Sequence, residues 1–254
     1  MAKKAPIGIC KLCLKTAQLQ ESHIVSKFFW RGSGLFKTQR AFNTVAINNP
    51  EVRIPARQDG FKEYLLCRRC EQRRSEWESY CAPLFFHATS PTRQPPRHPY
   101  FEFGNIEYPK LKLLILSTLW LMAVSKDLYY CHVKLNARKL EQLRKMLLTS
   151  NPGRDSRYGC VFTVLVTSDD FKPLPAFFSQ PLRLRRTRNG VTTKAYGFII
   201  AGIHWQIFVS NLVKDASFER FFPKETGILR VKVASPYSFG YLKPLLDELK
   251  SGTR

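Results

Sequence analysis

Hydrophobic residues at characteristic spacings predict two helices in the middle of the chain. Residues 111–125 contain the longest apolar run, and this composition predicts a helix that is buried on all sides. A second segment, which begins after Asn136 and ends before the turn residues at 151–153, repeats leucine at helical spacing. It predicts an amphipathic helix with Asn136 as its N-cap. The leucines of the apolar face are Leu140, Leu143 and Leu147.

Later segments rich in β-branched and aromatic residues predict strands. Turn residues such as Asn189 and Gly190 separate them, which favours antiparallel pairing. A closing helix is expected to begin within residues 238–241 and to run to Leu249. The predicted strand segments are residues 160–167, 181–186, 196–210 and 228–234.

A proline-rich segment divides the chain. Residues 90–99 carry four prolines, which neither continue a helix nor donate to a sheet, so this segment is expected to be an extended connector. We expect a cysteine-bearing domain over residues 1–89 and an α+β domain with an antiparallel sheet over residues 100–254. The second domain is expected to position a substrate, sense a signal or dock a protein partner.

The protein is strongly basic. Its 254 residues include 41 Lys or Arg and 19 Asp or Glu, which gives a formal net charge of +22. That excess lies well beyond the roughly 2 to 8 charges that keep a small domain soluble. It excludes an acidic or charge-balanced enzyme and predicts a nucleic acid as the partner, with an anionic membrane surface as a weaker alternative.

Cysteine usage and the absence of a targeting pattern favour a cytoplasmic protein. The N-terminus has no apolar stretch of signal-peptide length, and the longest apolar run is shorter than the roughly 20 residues of a membrane-spanning helix. Seven cysteines cannot all pair within one chain, and four of them stand in two Cys-x-x-Cys pairs. We therefore expect a bound metal in a reducing compartment rather than disulfides.

Cys10, Cys13, Cys67 and Cys70 predict a structural zinc site. Two residues between cysteines let both thiolates of a tight turn reach one tetrahedral Zn²⁺, and a second such pair completes a four-sulfur site. Thioredoxin-like redox chemistry is less favoured, because neither pair follows a strand in a βαβ pattern. The remaining cysteines lack such spacing and are interpreted as core residues: Cys81, Cys131 and Cys160.

Around these pairs the sequence resembles the HNH endonucleases. His23, followed by Ile24, matches the position of that family's catalytic histidine. Leu66 with the second cysteine pair matches its second zinc knuckle, and Glu71 matches its last metal-ligand position. The resemblance covers residues 10–80 and implies a zinc-braced, treble-clef-like ββα-metal finger with a separate catalytic Mg²⁺ or Mn²⁺. It implies hydrolysis of DNA phosphodiester bonds, in defence against foreign DNA or in a mobile element.

Three residues depart from the family pattern. Ser22 stands where the family has a metal-binding Asp, Lys62 lies near the position of its central Asn, and Glu71 replaces a final His or Asn. A carboxylate is a good ligand for Mg²⁺, so Glu71 keeps the last position usable. Either Glu21 or Asp59 supplies the charge that is missing at position 22, or the catalytic metal binds weakly.

The chemistry of these residue types leads to two hypotheses. In the first, His23 is the general base, because an imidazole can take a proton from water near neutral pH, and Glu71 holds the divalent ion. In the second, His23 is a core residue packed beside Ile24 and Phe28, and Glu71 complements the N-terminal end of a helix that reaches about Cys81. A non-catalytic zinc module that binds DNA or RNA is then the alternative function, and a basic protein that docks on an acidic partner is a third.

Two clusters of cations are expected to contact phosphates. The first surrounds the finger, with Phe29 and Trp30 beside it, and the second lies on a strand in which Leu182 and Leu184 alternate with arginine. Phosphate contacts supply affinity without sequence information, although the second cluster is also what a charge-protected sheet edge would carry. The first comprises Lys27, Arg31, Arg68, Arg69, Arg73 and Arg74. The second comprises Arg183, Arg185, Arg186 and Arg188.

Overall fold

The protein is an α+β chain, as the sequence predicts. A computed structural model describes residues 5–32, 60–86, 90–95, 99–166, 178–188, 191–209 and 216–243. The strands are β1 (Ile7–Ile9), β2 (Thr16–His23), β3 (Lys62–Cys67), β4 (Tyr100–Phe103), β5 (Cys160–Leu165), β6 (Leu182–Arg188), β7 (Val191–Ile200), β8 (Ile203–Phe208) and β9 (Leu229–Ala234). The helices are α1 (Lys27–Gly32), α2 (Arg68–Phe86), α3 (Tyr108–Val124), α4 (Ala137–Leu148) and α5 (Ala216–Glu219).

The two helices predicted in the middle of the chain are confirmed as α3 and α4. Helix α3 is buried over nearly its whole length. Helix α4 follows Asn136, whose side chain accepts a hydrogen bond from the Lys139 N–H at 2.9 Å, as an N-cap does. Leu143 and Leu147 are buried, and the half-buried Leu140 packs against the same core. Among the described helices, none is both long and apolar enough to cross a membrane.

The strands form two sheets. Strands β1, β2 and β3 form a three-stranded antiparallel sheet, and the other six are ordered β4-β9-β5-β8-β7-β6. The predicted antiparallel sheet is confirmed in part: four of the pairings in the larger sheet are antiparallel, whereas β5 and β9 pair in parallel, so this sheet is mixed. Parallel neighbours need a long connection, and here that connection contains β6, β7 and β8.

The segment predicted as one strand over residues 196–210 is a hairpin. Ile200 of β7 lies opposite Ile203 of β8, so only Ala201 and Gly202 turn the chain. Both have positive φ, 51° and 78°, which a two-residue hairpin turn of the primed type requires. Alanine gives no sequence signal for that conformation, and the turn therefore escapes prediction.

Two predicted features fall wholly or partly outside the described residues. The turn at Asn189 and Gly190 is one of them, although β6 and β7 pair antiparallel on either side of it. The closing helix is the other: the described chain ends at residue 243, after 3₁₀ turns at Pro236–Ser238 and Gly240–Leu242.

One hydrophobic core extends to both sides of the proline-rich segment. Trp205 of β8 is fully buried, and its ring centroid lies 5.5 Å from that of Phe29 in α1 and 5.6 Å from that of Phe85 in α2. Helix α3 contributes to the same core. The opposite face of the six-stranded sheet is covered by the chain that follows β8, whose Phe222 packs on Phe208.

Lys112 is a fully buried cation within the apolar helix α3. Its Nζ donates hydrogen bonds to the Tyr158 carbonyl at 2.8 Å and to the Asp155 carbonyl at 3.3 Å. Burial lowers the pKa of Lys112 to about 8. The lysine thus ties α3 to the loop between α4 and β5, at the expense of desolvating its charge.

Replacing this lysine, Lys112→Met, should remove a pH dependence of stability. Because its folded pKa of about 8 lies below the ordinary 10.5, the unfolded chain binds more protons between these two values. The free energy of unfolding of the wild type should therefore rise with pH across this window, by up to about 3 kcal/mol relative to the variant. Urea unfolding at a series of pH values measures the difference. The exposed Lys126→Met is the matched control, and a Lys112→Met curve parallel to the wild type would contradict the prediction.

Candidate metal centre and the adjoining site

The four predicted zinc ligands come together beside the three-stranded sheet. Their sulfur atoms all lie within 4.8 Å of one another, and the Sγ atoms of Cys13 and Cys67 are 3.8 Å apart. Four bonds of about 2.3 Å to a tetrahedral ion separate the sulfurs by about 3.8 Å. The cluster can therefore hold a metal ion such as zinc. Its members are Cys10, Cys13, Cys67 and Cys70.

The first cysteine pair lies in a tight turn between β1 and β2. The Leu14 N–H donates to the Cys10 carbonyl at 2.9 Å, and the Cys10 N–H donates to the Lys15 carbonyl at 3.0 Å. Leu14 has a φ of 61°, in the left-handed region that reverses the chain. The Lys11 N–H donates to the Leu65 carbonyl at 2.9 Å. This last bond ties the turn to β3, whose final residue belongs to the second pair.

The second cysteine pair spans the junction of β3 and α2. Cys67 ends β3, and Cys70 lies in the first turn of α2. Hydrogen bonding from Cys70 lowers the pKa of Cys10 to about 4, and the same contact raises the pKa of Cys70. The two thiols therefore titrate as a pair, in which the thiolate of Cys10 is favoured by a hydrogen bond from Cys70. A thiolate is the form of cysteine that binds a metal ion.

Arg144 of α4 reaches the first cysteine turn from the other side of the core. Its Nη1 donates to the Leu12 carbonyl at 2.7 Å, and its Nε and Nη2 donate to the two carboxylate oxygens of Glu141 at 2.7 and 2.8 Å. The charge of Cys13 also contributes to the raised pKa of Arg144, after the larger effect of Glu141. A nearby guanidinium favours thiolates. Sequence reasoning missed this residue, and its only signal was the spacing of three from Glu141 within a helix.

Ser22 serves the sheet rather than a metal. The pairing register between β2 and β3 shifts between Gln20 and Glu21. Beside this irregularity the buried Ser22 hydroxyl accepts a hydrogen bond from the Leu66 N–H at 3.3 Å and donates to the Gln20 carbonyl at 3.5 Å. Such a bulge locally disrupts the backbone hydrogen bonds between the two strands. The Ser22 hydroxyl supplies a hydrogen-bond partner for the backbone at this point.

The residues suggested as substitutes for a carboxylate at position 22 differ in placement. Glu21 is exposed, and its Oε2 lies 3.6 Å from the Nζ of Lys62. Lys62 pairs directly with His23 in the register of β2 and β3. Asp59 lies outside the described residues. An ion pair therefore already engages Glu21.

His23 and Glu71 lie on two elements that Arg74 joins. His23 ends β2, and Glu71 directly follows Cys70 in the first turn of α2. One turn later, Arg74 donates from Nη1 to the His23 carbonyl at 2.7 Å and from Nη2 to the Ser26 hydroxyl at 3.1 Å. Helix residues three apart share a face, so Glu71 lies on the side of α2 that faces the end of β2.

One oxygen of the Glu71 carboxylate is buried and could bind a cation. Within the described part of the chain, its Oε1 is buried and accepts no hydrogen bond. A buried carboxylate oxygen without a donor is costly unless a cation or a proton compensates it. This oxygen fits a divalent cation, which prefers oxygen ligands.

The cations predicted around the finger fall into buried and exposed groups. Arg74 is 3% exposed and its Nη2 lies 3.0 Å from the Glu78 carboxylate, so it braces the site instead of facing a phosphate. Arg73 donates to the Leu148 carbonyl at the end of α4. Two aromatic residues expected beside phosphates are instead buried in the core: Phe29 and Trp30. The exposed or half-exposed cations are Lys27, Arg31, Arg68, Arg69 and Arg73.

The second predicted cation cluster lies on β6, at the edge of the six-stranded sheet. Arg183 and Arg185 are exposed on one face of this strand. Arg186 lies on the other face, with its guanidinium carbon 5.3 Å from the centre of the Phe218 ring. The side chain of Arg188 lies outside the described part. This cluster belongs to a different sheet from His23.

The candidate site therefore has two adjoining parts. One is the cysteine cluster, which can hold a metal ion, and the other is the end of β2 with the first turn of α2, which carries His23 and Glu71. No family model, curated protein or solved structure matches this chain.

Proposed function

We propose that this protein is a metal-dependent DNA endonuclease of the HNH type, with structural zinc in the cysteine cluster. One observation carries the proposal. The cysteine cluster draws the start of α2 to the three-stranded sheet, and Arg74 links the helix turn of Glu71 to the His23 carbonyl. The resemblance assigns the catalytic histidine and the last metal ligand to these same two residues. Cytoplasmic action on foreign DNA is part of the proposal.

Each residue of the site has a defined task in this reaction. His23 takes a proton from the attacking water, because imidazole titrates near neutral pH. Glu71 would hold Mg²⁺ or Mn²⁺ through the buried Oε1 of its carboxylate. Such an ion would supply positive charge to offset the negative charge of the phosphate and of the departing oxygen. The net charge of +22 draws a polyanionic substrate to the protein.

A non-catalytic zinc module that binds nucleic acid is the second candidate. Ser22 favours it, because a buried hydroxyl that hydrogen-bonds within the sheet supplies no carboxylate to a cation. The ion pair between Glu21 and Lys62 favours it for the same reason. Both candidates share the zinc and the basic surface, and they differ only in cleavage.

The substitution His23→Ala separates the two candidates. With purified protein, supercoiled plasmid and Mg²⁺ or Mn²⁺, the wild type should nick the DNA, and the variant should be slower by at least about 100-fold, since a general base contributes 10² or more. His132→Ala, which replaces an exposed histidine, is the matched control and should cut at the wild-type rate.

Two results would contradict the endonuclease. If His23→Ala cuts as fast as the wild type, His23 does not take the proton. If the wild type binds plasmid in a salt-sensitive way and cuts with neither metal, the zinc module is the better description.

A further inference from the structure

We propose that a cationic surface at the β6 edge of the larger sheet binds the phosphate backbone of DNA, separately from the cysteine cluster. This β6 edge surface consists of Arg183, Arg185, Lys194, Lys134 and Lys139. That the bound polymer is DNA rests on the proposed function. That the surface binds phosphates rests on the arrangement of these cations. It comprises two residues of β6, one of β7 and two that precede or begin α4.

The pairing of β6 with β7 sets three of these cations on one face. Arg183 lies opposite Tyr196, and Arg185 lies opposite Lys194. Residues two apart on a strand point to the same side, about 6.6 Å from each other. Arg183 and Arg185 therefore project side by side from the edge strand, and Lys194 extends the row inward.

The chain before α4 adds the other two cations. The Tyr196 hydroxyl accepts a hydrogen bond from the Lys134 N–H at 3.0 Å and donates one to the Lys134 carbonyl at 2.7 Å. These bonds fix Lys134 over β7, next to the position of Arg183. Lys139 lies in the first turn of α4, where burial and then the charge of Lys194 lower its pKa. That interaction places Lys139 near Lys194.

Such an arrangement costs stability unless an anion compensates it. Like charges directly opposite each other on paired strands repel, as Arg185 and Lys194 do. Within the described ranges, Arg183 and Arg185 form no ion pair. Charges on β6 alone would be explained as protection of an exposed edge. That explanation leaves out Lys134 and Lys139, which come from another part of the chain and converge on the same place.

A nucleic-acid backbone fits this surface. Its phosphates carry regularly spaced negative charge, and arginine binds phosphate through two parallel hydrogen bonds. Strand β6 is the last strand of its sheet among the described residues, so its outer edge also presents backbone N–H groups. With no base-reading pattern on it, the surface should bind duplexes of different sequence equally.

The double variant Arg183→Gln with Arg185→Gln tests this surface. Binding of the full-length protein to a short DNA duplex is followed by fluorescence anisotropy in Ca²⁺ buffer, between about 50 and 200 mM salt. We expect affinity to fall about 10-fold and the slope of log Kobs against log salt to decrease by about 2, one for each lost contact. A second pair, Lys139→Gln with Lys194→Gln, should do the same from the other side of the surface.

The matched control, Lys15→Gln with Lys126→Gln, removes two exposed charges elsewhere and should bind DNA with the wild-type slope. Circular dichroism and thermal unfolding establish that each variant is folded. The proposal is overturned if the salt slope of DNA binding is unchanged in both surface pairs. It is also overturned if the surface pairs lose binding to phosphatidylserine vesicles but bind DNA as the wild type does. A wild type that binds DNA without cutting it, and loses affinity in the surface pairs, would refute the endonuclease and support this surface. If the surface pairs bind and cut DNA as the wild type does, that result would support the endonuclease and refute this surface.

Discussion

The substitution Cys70→Ser should abolish zinc binding by the cysteine cluster and unfold the chain around it. A serine hydroxyl stays protonated at neutral pH and does not replace a thiolate ligand. Structural zinc contributes roughly 10–16 kcal/mol of folding free energy in small zinc modules at neutral pH, which is comparable to the roughly 5–15 kcal/mol that holds a typical domain together. Cys70 is buried at the start of α2, so its loss also releases the helix turn that carries Glu71 and Arg74.

The effect should spread beyond the cysteines themselves. Arg144 donates to the Leu12 carbonyl in the first cysteine turn, and Arg73 of α2 donates to the Leu148 carbonyl of α4. Helix α4 is thus bonded both to the first cysteine turn and to α2. Elemental analysis should find about one zinc in the wild type and almost none in Cys70→Ser, and the melting temperature should fall sharply.

Cys131→Ser is the matched control for this experiment. Sequence spacing led us to expect Cys131 in the core, but it is exposed, whereas Cys81 and Cys160 are buried. Its replacement should leave the zinc content and the melting temperature unchanged. Full zinc content in Cys70→Ser, or less than about half an equivalent in freshly purified wild type, would contradict the structural zinc.

Features that depend on neighbouring residues could be predicted from the sequence. Asn136 caps α4 because a side-chain oxygen needs only the N–H three residues later. The Cys-x-x-Cys spacing works in the same way, since each pair sits in one turn. That the two pairs would meet also followed, because a metal needs four ligands, and the sulfurs do lie within 4.8 Å of one another.

Features that depend on distant pairing could not be predicted. The parallel contact of β5 with β9 joins segments about 65 residues apart, and nothing local encodes such a neighbour. An arginine is usually exposed, yet Arg74 is buried, and its two terminal guanidinium nitrogens contact the His23 carbonyl, the Ser26 hydroxyl and the Glu78 carboxylate. Only the tertiary contact distinguishes it from an exposed residue such as Arg69.

Core packing should depend most strongly on Trp205, and Trp205→Ala should lower the free energy of unfolding by about 4 kcal/mol. The indole is fully buried in the middle of the six-stranded sheet, directly opposite Phe162 on one side and Phe198 on the other. It also contacts Phe29 of α1 and Phe85 of α2. The cavity left by alanine therefore opens where these two helices meet the larger sheet.

The substitution Trp205→Phe is the matched variant, and it should cost less than half as much as alanine. Within the described part of the chain the indole Nε1 has no hydrogen-bond partner, so phenylalanine gives up ring area without breaking a bond. Urea unfolding should be followed by circular dichroism and by zinc release in parallel. Because Trp205 packs both on α1 and α2 and within the larger sheet, circular dichroism and zinc release should change at the same urea concentration. In Trp205→Ala both transitions should shift to lower urea. If the urea concentration at which zinc is released is the same in the wild type and in Trp205→Ala, the cysteine cluster unfolds independently of the larger sheet. That result would contradict coupling through the shared core.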